Sequence, residues 1–291
     1  MEQERFQIRT DLALETKERF EEDDVEIRGV SVEEVYREEL DIRVTRVRIE
    51  TENGAKIMGK PVGEYVTLEA PGLLEAEEEY HSLVAEELSG YIRDMIGEEE
   101  KSVLVVGLGN RDVTPDALGP QVVEHLLITR HIIREYGACA FGRESMNRIS
   151  AIAPGVMAQT GMETFEIVKG IVKETSPNLV IAIDALAARS SKRLNRTIQL
   201  SDAGIHPGSG VGNHRNSLTK ENLGVDILAI GIPTVVDAAT IVYDATGDRE
   251  RIAPNLNGMF VTPKNVDEMI RRLGKTLSEA INRALDVSLE V

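Results

Sequence analysis

Four short, almost purely aliphatic runs constrain the fold of this 291-residue chain more than any other feature. The aliphatic runs lie at 103–108, 149–153, 179–184 and 227–232. Segments with helical periodicity separate some of them, at 120–135 and 162–175. Strands that are apolar on both faces and alternate with helices are typical of a parallel sheet covered on both sides. The sequence therefore predicts an α/β domain with a mostly parallel sheet flanked by helices.

The chain before these runs has a different pattern. Residues 42–50 alternate apolar and basic side chains, which predicts a half-exposed strand, and the Asn-Gly pair at 53–54 is a typical hairpin turn. We therefore expect an additional antiparallel hairpin layer near the N-terminus. An amphipathic helix is predicted over 75–96, and the last long helix should begin at Thr262-Pro263. No low-complexity linker interrupts the chain, so we expect a single domain.

Charge and composition exclude several classes of function. The formal net charge is −17 and the pI is near 4.8, so the surface should repel phosphate backbones and anionic lipid. We expect no direct nucleic-acid binding and no membrane association. The charged N-terminus lacks the apolar segment of a secretory signal, which predicts a cytoplasmic protein. The single cysteine, Cys139, excludes an internal disulfide, and we interpret it as a small core residue rather than a nucleophile.

Two of the aliphatic runs lead into carboxylates. The run 179–184 ends on Asp184, and 103–108 is followed by Asp112 and Asp116. In open α/β sheets, ligands and catalytic groups gather beyond the carboxyl ends of the strands. A helix cap or a turn would explain either acid by itself. Together, however, two acids at one sheet edge can divide their pKa values and perform acid–base catalysis, so Asp116 and Asp184 are the candidate catalytic pair.

Other candidate sites are weaker. The sequence Gly107-x-Gly109-x-x-Asp112 has a charge where a dinucleotide loop needs its third glycine, so no cofactor is predicted. His206 and His214 lie in a glycine-rich loop and could be metal ligands, but we interpret them as loop residues, and no metal site is predicted.

A further aspartate, Asp237, follows the last aliphatic run. The segment 231–241 reads as a strand end and then a helix start near its proline, Pro233. We therefore place Asp237 inside that helix and interpret it as structural.

Longer blocks of sequence carry a family resemblance. VGLGNRDVTPDALGPQVVEHLLITRH, IAIDALAARS, GIHPGSGVGN and AIGIPTVVDAATI, in this order, closely resemble the germination protease family of endospore-forming bacteria. The segments RTDLALE and VTPKNVDEMI resemble the two ends of that family. The resemblance therefore extends over essentially the whole chain.

This resemblance implies a function and a processing site. The family is an atypical aspartic-type endopeptidase with a fold similar to hydrogenase-maturation proteases, and it degrades the small acid-soluble proteins that coat DNA in the spore core. Its two proposed catalytic aspartates correspond to Asp116 and Asp184. Family members are zymogens that assemble as homotetramers. Self-cleavage would fall between Asp11 and Leu12, so that residues 1–11 are the propeptide and residues 12–291 the peptidase domain.

One segment departs from the family, and three alternatives stay open. Residues 247–258 are short where some family members carry a longer insertion, so nothing that depends on that insertion is expected here. A metal-assisted maturation-type endopeptidase is the nearest alternative. Peptidyl-tRNA hydrolase shares the G-L-G-N motif but not the residues after it, and the acidic charge does not suit tRNA. A non-catalytic binding module is the third.

Overall fold

The computed structural model describes residues 10–22, 27–74, 77–205, 217–248, 252–256 and 258–287. The helices in these ranges are α1 (Ala13–Glu22), α2 (Glu52–Met58), α3 (Glu78–Ile96), α4 (Leu118–His125), α5 (Arg130–Tyr136), α6 (Met157–Thr160), α7 (Thr164–Thr175), α8 (Lys220–Leu223), α9 (Ala238–Thr246) and α10 (Val266–Ala284). The strands are β1 (Val30–Arg37), β2 (Ile42–Ile49), β3 (Gly63–Glu69), β4 (Ser102–Gly107), β5 (Arg148–Ile152), β6 (Leu179–Ala188), β7 (Thr197–Ser201), β8 (Asp226–Asp237) and β9 (Phe260–Val261).

All of these strands belong to one nine-stranded mixed sheet. Its order is β1-β2-β3-β7-β8-β6-β4-β5, and β9 pairs with the end of β8. The four aliphatic runs form the parallel half, β8-β6-β4-β5, as predicted. The antiparallel strands near the N-terminus are present, and they extend the same sheet through β7. An α/β sheet flanked by helices is thus confirmed.

Alternate side chains of the parallel strands enter two separate cores. In β6, Ile181 and Ile183 pack into the cluster covered by α3, α4 and α10. Val180 and Ala182 pack into the cluster on the other face, with side chains from α7 and α8. Because side chains alternate along a strand, Asp184 belongs to this second face.

The hairpin turn predicted at 53–54 is wrong. These residues lie in the short helix α2, because the Thr51 side chain accepts a hydrogen bond of 3.1 Å from the Gly54 N–H and caps that helix. The helix then ends at Gly59, which has a left-handed conformation. Strands β2 and β3 are antiparallel as expected, but a capped helix connects them. The threonine cap prevailed over the turn preference of Asn-Gly.

The helix predicted to start near Pro233 begins later. Strand β8 continues through Pro233, which pairs with Leu186 of β6 just before a register shift in the β6–β8 pairing, and ends at Asp237. Proline is tolerated in a strand at such irregularities because a regular ladder bond is missing there. Asp237 is therefore the N-cap of α9 rather than an interior residue of that helix. Its side chain accepts a 3.1 Å hydrogen bond from the Thr240 N–H, which is a structural role.

Two smaller expectations also change. The last helix begins at Val266 rather than at Thr262-Pro263. Cys139 is exposed, with its Sγ 3.1 Å from the carbonyl oxygen of Tyr136, so the expectation of a core residue is wrong. Among the described residues, no helix is long and apolar enough to cross a membrane.

Helix α4 approaches the end of β4 so closely that two glycines are required. A Cβ on Gly107 would lie 2.2 Å from the carbonyl oxygen of Gly119, and a Cβ on Gly119 would lie 2.3 Å from that of Leu108. Backbone atoms cannot move aside as a flexible side chain can. This contact fixes the position of the loop between β4 and α4.

We expect Gly107→Ala to destabilise the fold by about 1–3 kcal/mol, because it inserts a methyl group into a backbone contact. Urea denaturation measures the loss. The control is Gly170→Ala in α7, where a Cβ would meet nothing within 4 Å and where alanine should stabilise by roughly 0.5–1 kcal/mol. Equal stability of the Gly107→Ala and wild-type chains would contradict this packing.

Candidate active site

The loop after β4 directs Asp116 back over the end of the sheet. Gly109 has φ +110°, and a Cβ there would lie 1.9 Å from the carbonyl oxygen of Asp116. The Asn110 N–H donates a 2.8 Å hydrogen bond to Asp116 Oδ2. Helix α4 starts after Ala117, whose backbone occupies the cap position. Asp116 is therefore not the helix cap that the alternative interpretation required.

Asp112, the other acid of this loop, is held differently. Its side chain is exposed, and its Oδ2 accepts a 3.0 Å hydrogen bond from Gln159 Nε2. Its N–H donates to the side-chain oxygen of Asn110 at 3.0 Å. Asp112 therefore belongs to a surface turn.

Asp184 is buried where β6 loses one neighbour. The pairing of β4 with β6 ends at Gly107 and Ile183, so Asp184 is the next residue after the last paired one. Strand β6 itself continues to Ala188 beside β8, rather than ending at Asp184 as predicted. The Asp184 side chain is 9% exposed, and its Oδ1 accepts 2.9 Å from the Ala185 N–H. This side chain therefore lies on the second face of the sheet, one residue beyond the last pairing with β4.

The two carboxyl groups share one electrostatic environment. Burial raises the pKa of Asp184 well above its usual range, and the negative charge of Asp116 raises it further. Burial also raises the pKa of Asp116, but the Asn110 N–H opposes this by favouring the charged form. The structure therefore brings together the two acids predicted from separate strand ends. It also makes them different, with the proton held more strongly by Asp184.

A third carboxylate, that of Asp11, lies beside this pair. The Asp11 N–H donates a 3.0 Å hydrogen bond to the Ala187 carbonyl oxygen, and the Ala187 N–H donates a 2.8 Å hydrogen bond to Asp11 Oδ2. The charge of Asp11 also raises the pKa of Asp184. Leu12, the next residue, is fully buried in the core of the second face. The predicted self-cleavage position therefore lies against β6, near Asp184.

Two further polar side chains hold the Asp11 carbonyl oxygen. Lys60 Nζ lies 2.8 Å from it and Gln199 Nε2 lies 3.1 Å from it. Burial lowers the pKa of Lys60, and the charges of Asp11 and Glu15 oppose that shift. Sequence reasoning missed both side chains, since neither follows a parallel strand nor belongs to a recognisable motif.

The chain after Leu12 has its own anchor. The buried Glu15 carboxylate accepts hydrogen bonds from the Arg189 N–H at 2.7 Å and the Ser190 N–H at 3.0 Å. Arg193 lies 3.4 Å from Glu15 and 2.6 Å from Glu18, so it ties α1 to the turn after β6. Helix α1 is thus fixed by contacts that do not depend on Asp11.

His206 and His214 lie outside the described residues. In the part of the chain that the structure describes, no group of three or more His, Cys, Asp or Glu side chains is arranged to hold a metal ion.

Comparison with known proteins agrees on one family. Residues 8–247 match the family model described as germination protease. A germination protease from Caldanaerobacter subterraneus subsp. tengcongensis is 45% identical, covering 97% of this chain and 95% of that protein. Those from Clostridium perfringens and Bacillus subtilis are 40% and 48% identical, covering 98% and 82% of this chain and 97% and 66% of their own lengths. Among solved structures, the NiFe hydrogenase maturation protease HycI from Thermococcus kodakarensis matches 67% of this chain and 99% of its own, at 20% identity and a TM-score of 0.37.

The chain has an α/β sheet with two acids near the carboxyl ends of its parallel strands, and proteases match most of its sequence. These features define a protease. The chain belongs to the germination protease family.

Removing the Asp184 carboxylate should stabilise the folded chain at neutral pH. The native pKa is raised, so between the unfolded value of about 3.9 and the native value the native state binds more protons, and stability falls as pH rises. We expect Asp184→Asn to unfold at higher urea concentration than the intact wild-type chain at pH 7, with the difference vanishing near pH 4. The exposed Asp94→Asn is the control. A pH-independent difference would contradict the raised pKa.

Proposed function

We propose that this germination protease is an aspartic-type endopeptidase, made as a zymogen, which uses Asp116 and Asp184 to cut its own chain between Asp11 and Leu12. The observation that carries the proposal is the position of Asp11, whose backbone and carboxylate are both held by Ala187 of the strand that carries Asp184. A peptide bond presented in this way is a substrate already in place.

The unequal pKa shifts assign a role to each acid. Asp116 is the more readily ionised and acts as the general base, taking a proton from water as its oxygen attacks the Asp11 carbonyl carbon. Asp184 keeps its proton longer and acts as the general acid, giving that proton to the departing nitrogen of Leu12. The water is thereby divided between a new carboxyl group and a new amine. Each such proton transfer contributes roughly 10²–10⁴-fold to the rate.

The same position of the segment accounts for latency. While residues 10–12 lie along β6, they occupy the approach to Asp184, and another polypeptide cannot bind there. Loss of residues 1–11 would open this approach and leave residues 12–291 as the active peptidase. The Glu15 contacts would keep α1 in place after the cut.

We further propose that the substrates are the small acid-soluble proteins that coat spore DNA, and that the enzyme acts in the forespore and spore core. The net charge of −17 disfavours competition for the DNA itself. Incubation of the processed enzyme with such a protein tests this assignment. A substrate that stays intact after the enzyme has fully processed itself would refute it.

We also propose a homotetramer. Strand β1 is at one end of the sheet and exposes Val35 and Tyr36, which supports contact with another copy. Sedimentation should give four times the chain mass, and a monomer would contradict this.

Substitution of either acid should abolish self-processing. We expect Asp116→Asn and Asp184→Asn to keep the full-length mass on incubation at mildly acid pH, while the wild-type chain loses residues 1–11, as measured by intact mass spectrometry. Asp112→Asn is the matched control, since Asp112 lies in the same loop but in a surface turn, and it should process normally. Wild-type processing by either dyad variant would refute the mechanism.

The same assay separates the alternatives. A metal-assisted endopeptidase would stop processing after exhaustive chelation and recover when metal is returned, whereas the aspartate mechanism predicts an unchanged rate. A non-catalytic binding module would show no trimming under any of these conditions.

A further inference from the structure

Lys60 and Gln199 surround one atom, the carbonyl oxygen of Asp11. Lys60 Nζ donates to it at 2.8 Å and Gln199 Nε2 at 3.1 Å. They come from distant parts of the chain, Lys60 from the turn after α2 and Gln199 from β7. Two donors converging on a backbone carbonyl, one of them charged, form the arrangement by which enzymes stabilise negative charge that develops on oxygen.

Gln199 is oriented by the chain on the other side of the Asp11–Leu12 bond. Its Oε1 accepts a 2.7 Å hydrogen bond from the Ala13 N–H, which directs its Nε2 toward the Asp11 carbonyl. The Gln199 side chain is 8% exposed and so is largely removed from competing water. The Gln199 side-chain amide therefore spans the Asp11–Leu12 bond, with one hydrogen bond on each side of it.

The register of the sheet relates Gln199 to Asp184. Both are aligned with Gly231 of the intervening strand β8, so they project from the same face, about 10 Å apart at two strand spacings. Asp11 bonds through its N–H to Ala187 of β6 and through its carbonyl oxygen to Gln199 of β7, and therefore bridges these two strands. The donors to its carbonyl thus come from other elements than the strand that carries Asp184.

We propose that Lys60 and Gln199 are catalytic residues that polarise the carbonyl of the bond to be cut and stabilise the oxyanion formed when water attacks it. This rests on the proposed cleavage at Asp11–Leu12. The Lys60 ammonium supplies charge and a hydrogen bond, and the Gln199 amide supplies a second, fixed hydrogen bond. Because both act on backbone atoms, the same pair would serve a peptide substrate bound in place of residues 10–13.

The test compares first-order self-processing rates of full-length variants. We expect Lys60→Met and Gln199→Met each to slow processing by about 10²–10³-fold, the loss typical of removing one oxyanion donor. Gln199→Glu keeps the acceptor for the Ala13 N–H but removes the donor, and should lose at least as much. Lys56→Met in α2 and Gln121→Met in α4 are matched controls and should process at the wild-type rate.

A second measurement separates catalysis from docking. In an Asp184→Asn background, hydrogen exchange of the Asp11 amide reports whether the segment is held, since its bond to Ala187 involves neither tested side chain. Retained protection with slow processing supports the proposal. It is overturned if protection is lost with the rate, or if the Lys60 and Gln199 variants process within two-fold of wild type. In the latter case, inactive dyad variants would leave the proposed function standing, whereas active ones would refute that function itself.

Discussion

The burial of the Asp184 carboxyl group is the constraint on which the site depends. Removing a carboxylate from water costs several kcal/mol, so burial raises the pKa of this group. Strand β6 continues past its last pairing with β4 and carries Asp184 just beyond that point. The close packing of Gly107 against Gly119 sets the loop that carries Asp116, whose charge raises the pKa of Asp184. The backbone packing that positions the two acids therefore also determines their electrostatic environment.

The N-terminal segment is held on both sides of Leu12 by separate groups. Ala187 and Lys60 hold Asp11, while the turn after β6 holds Glu15 through two backbone N–H groups. A bond fixed in this way has lost most of its translational and rotational freedom, which favours an intramolecular reaction strongly over the same reaction between molecules. If residues 1–11 are removed as proposed, this rigidity would allow one segment to be both substrate and inhibitor. The segment would remain in place until its bond is cut, and only the part before Leu12 could then leave.

Sequence reasoning located the parallel strands and the two acids, because aliphatic runs and the ends of parallel strands are local signals. It failed at 53–54, where a Thr51 hydrogen bond selects a helix, and at Pro233, where a register shift between β6 and β8 accommodates proline within a strand. Lys60 and Gln199 could not have been predicted. Their convergence on the Asp11 carbonyl arises only when β3 and β7 pair and bring together residues that are far apart in sequence.

The Asp11 carboxylate contributes to the electrostatic environment of Asp184, one of the two acids proposed to cut the bond that follows Asp11. Its charge helps to raise the pKa of Asp184, together with burial and Asp116. In the proposed mechanism, the general acid would therefore be protonated before cleavage, as proton donation to the leaving nitrogen requires. The proposed departure of residues 1–11 would remove this negative charge and admit water, and both changes would lower the pKa of Asp184. The processed enzyme would then have a lower proton affinity at Asp184 than the unprocessed chain, so that a bound substrate would have to restore the burial that the segment had supplied.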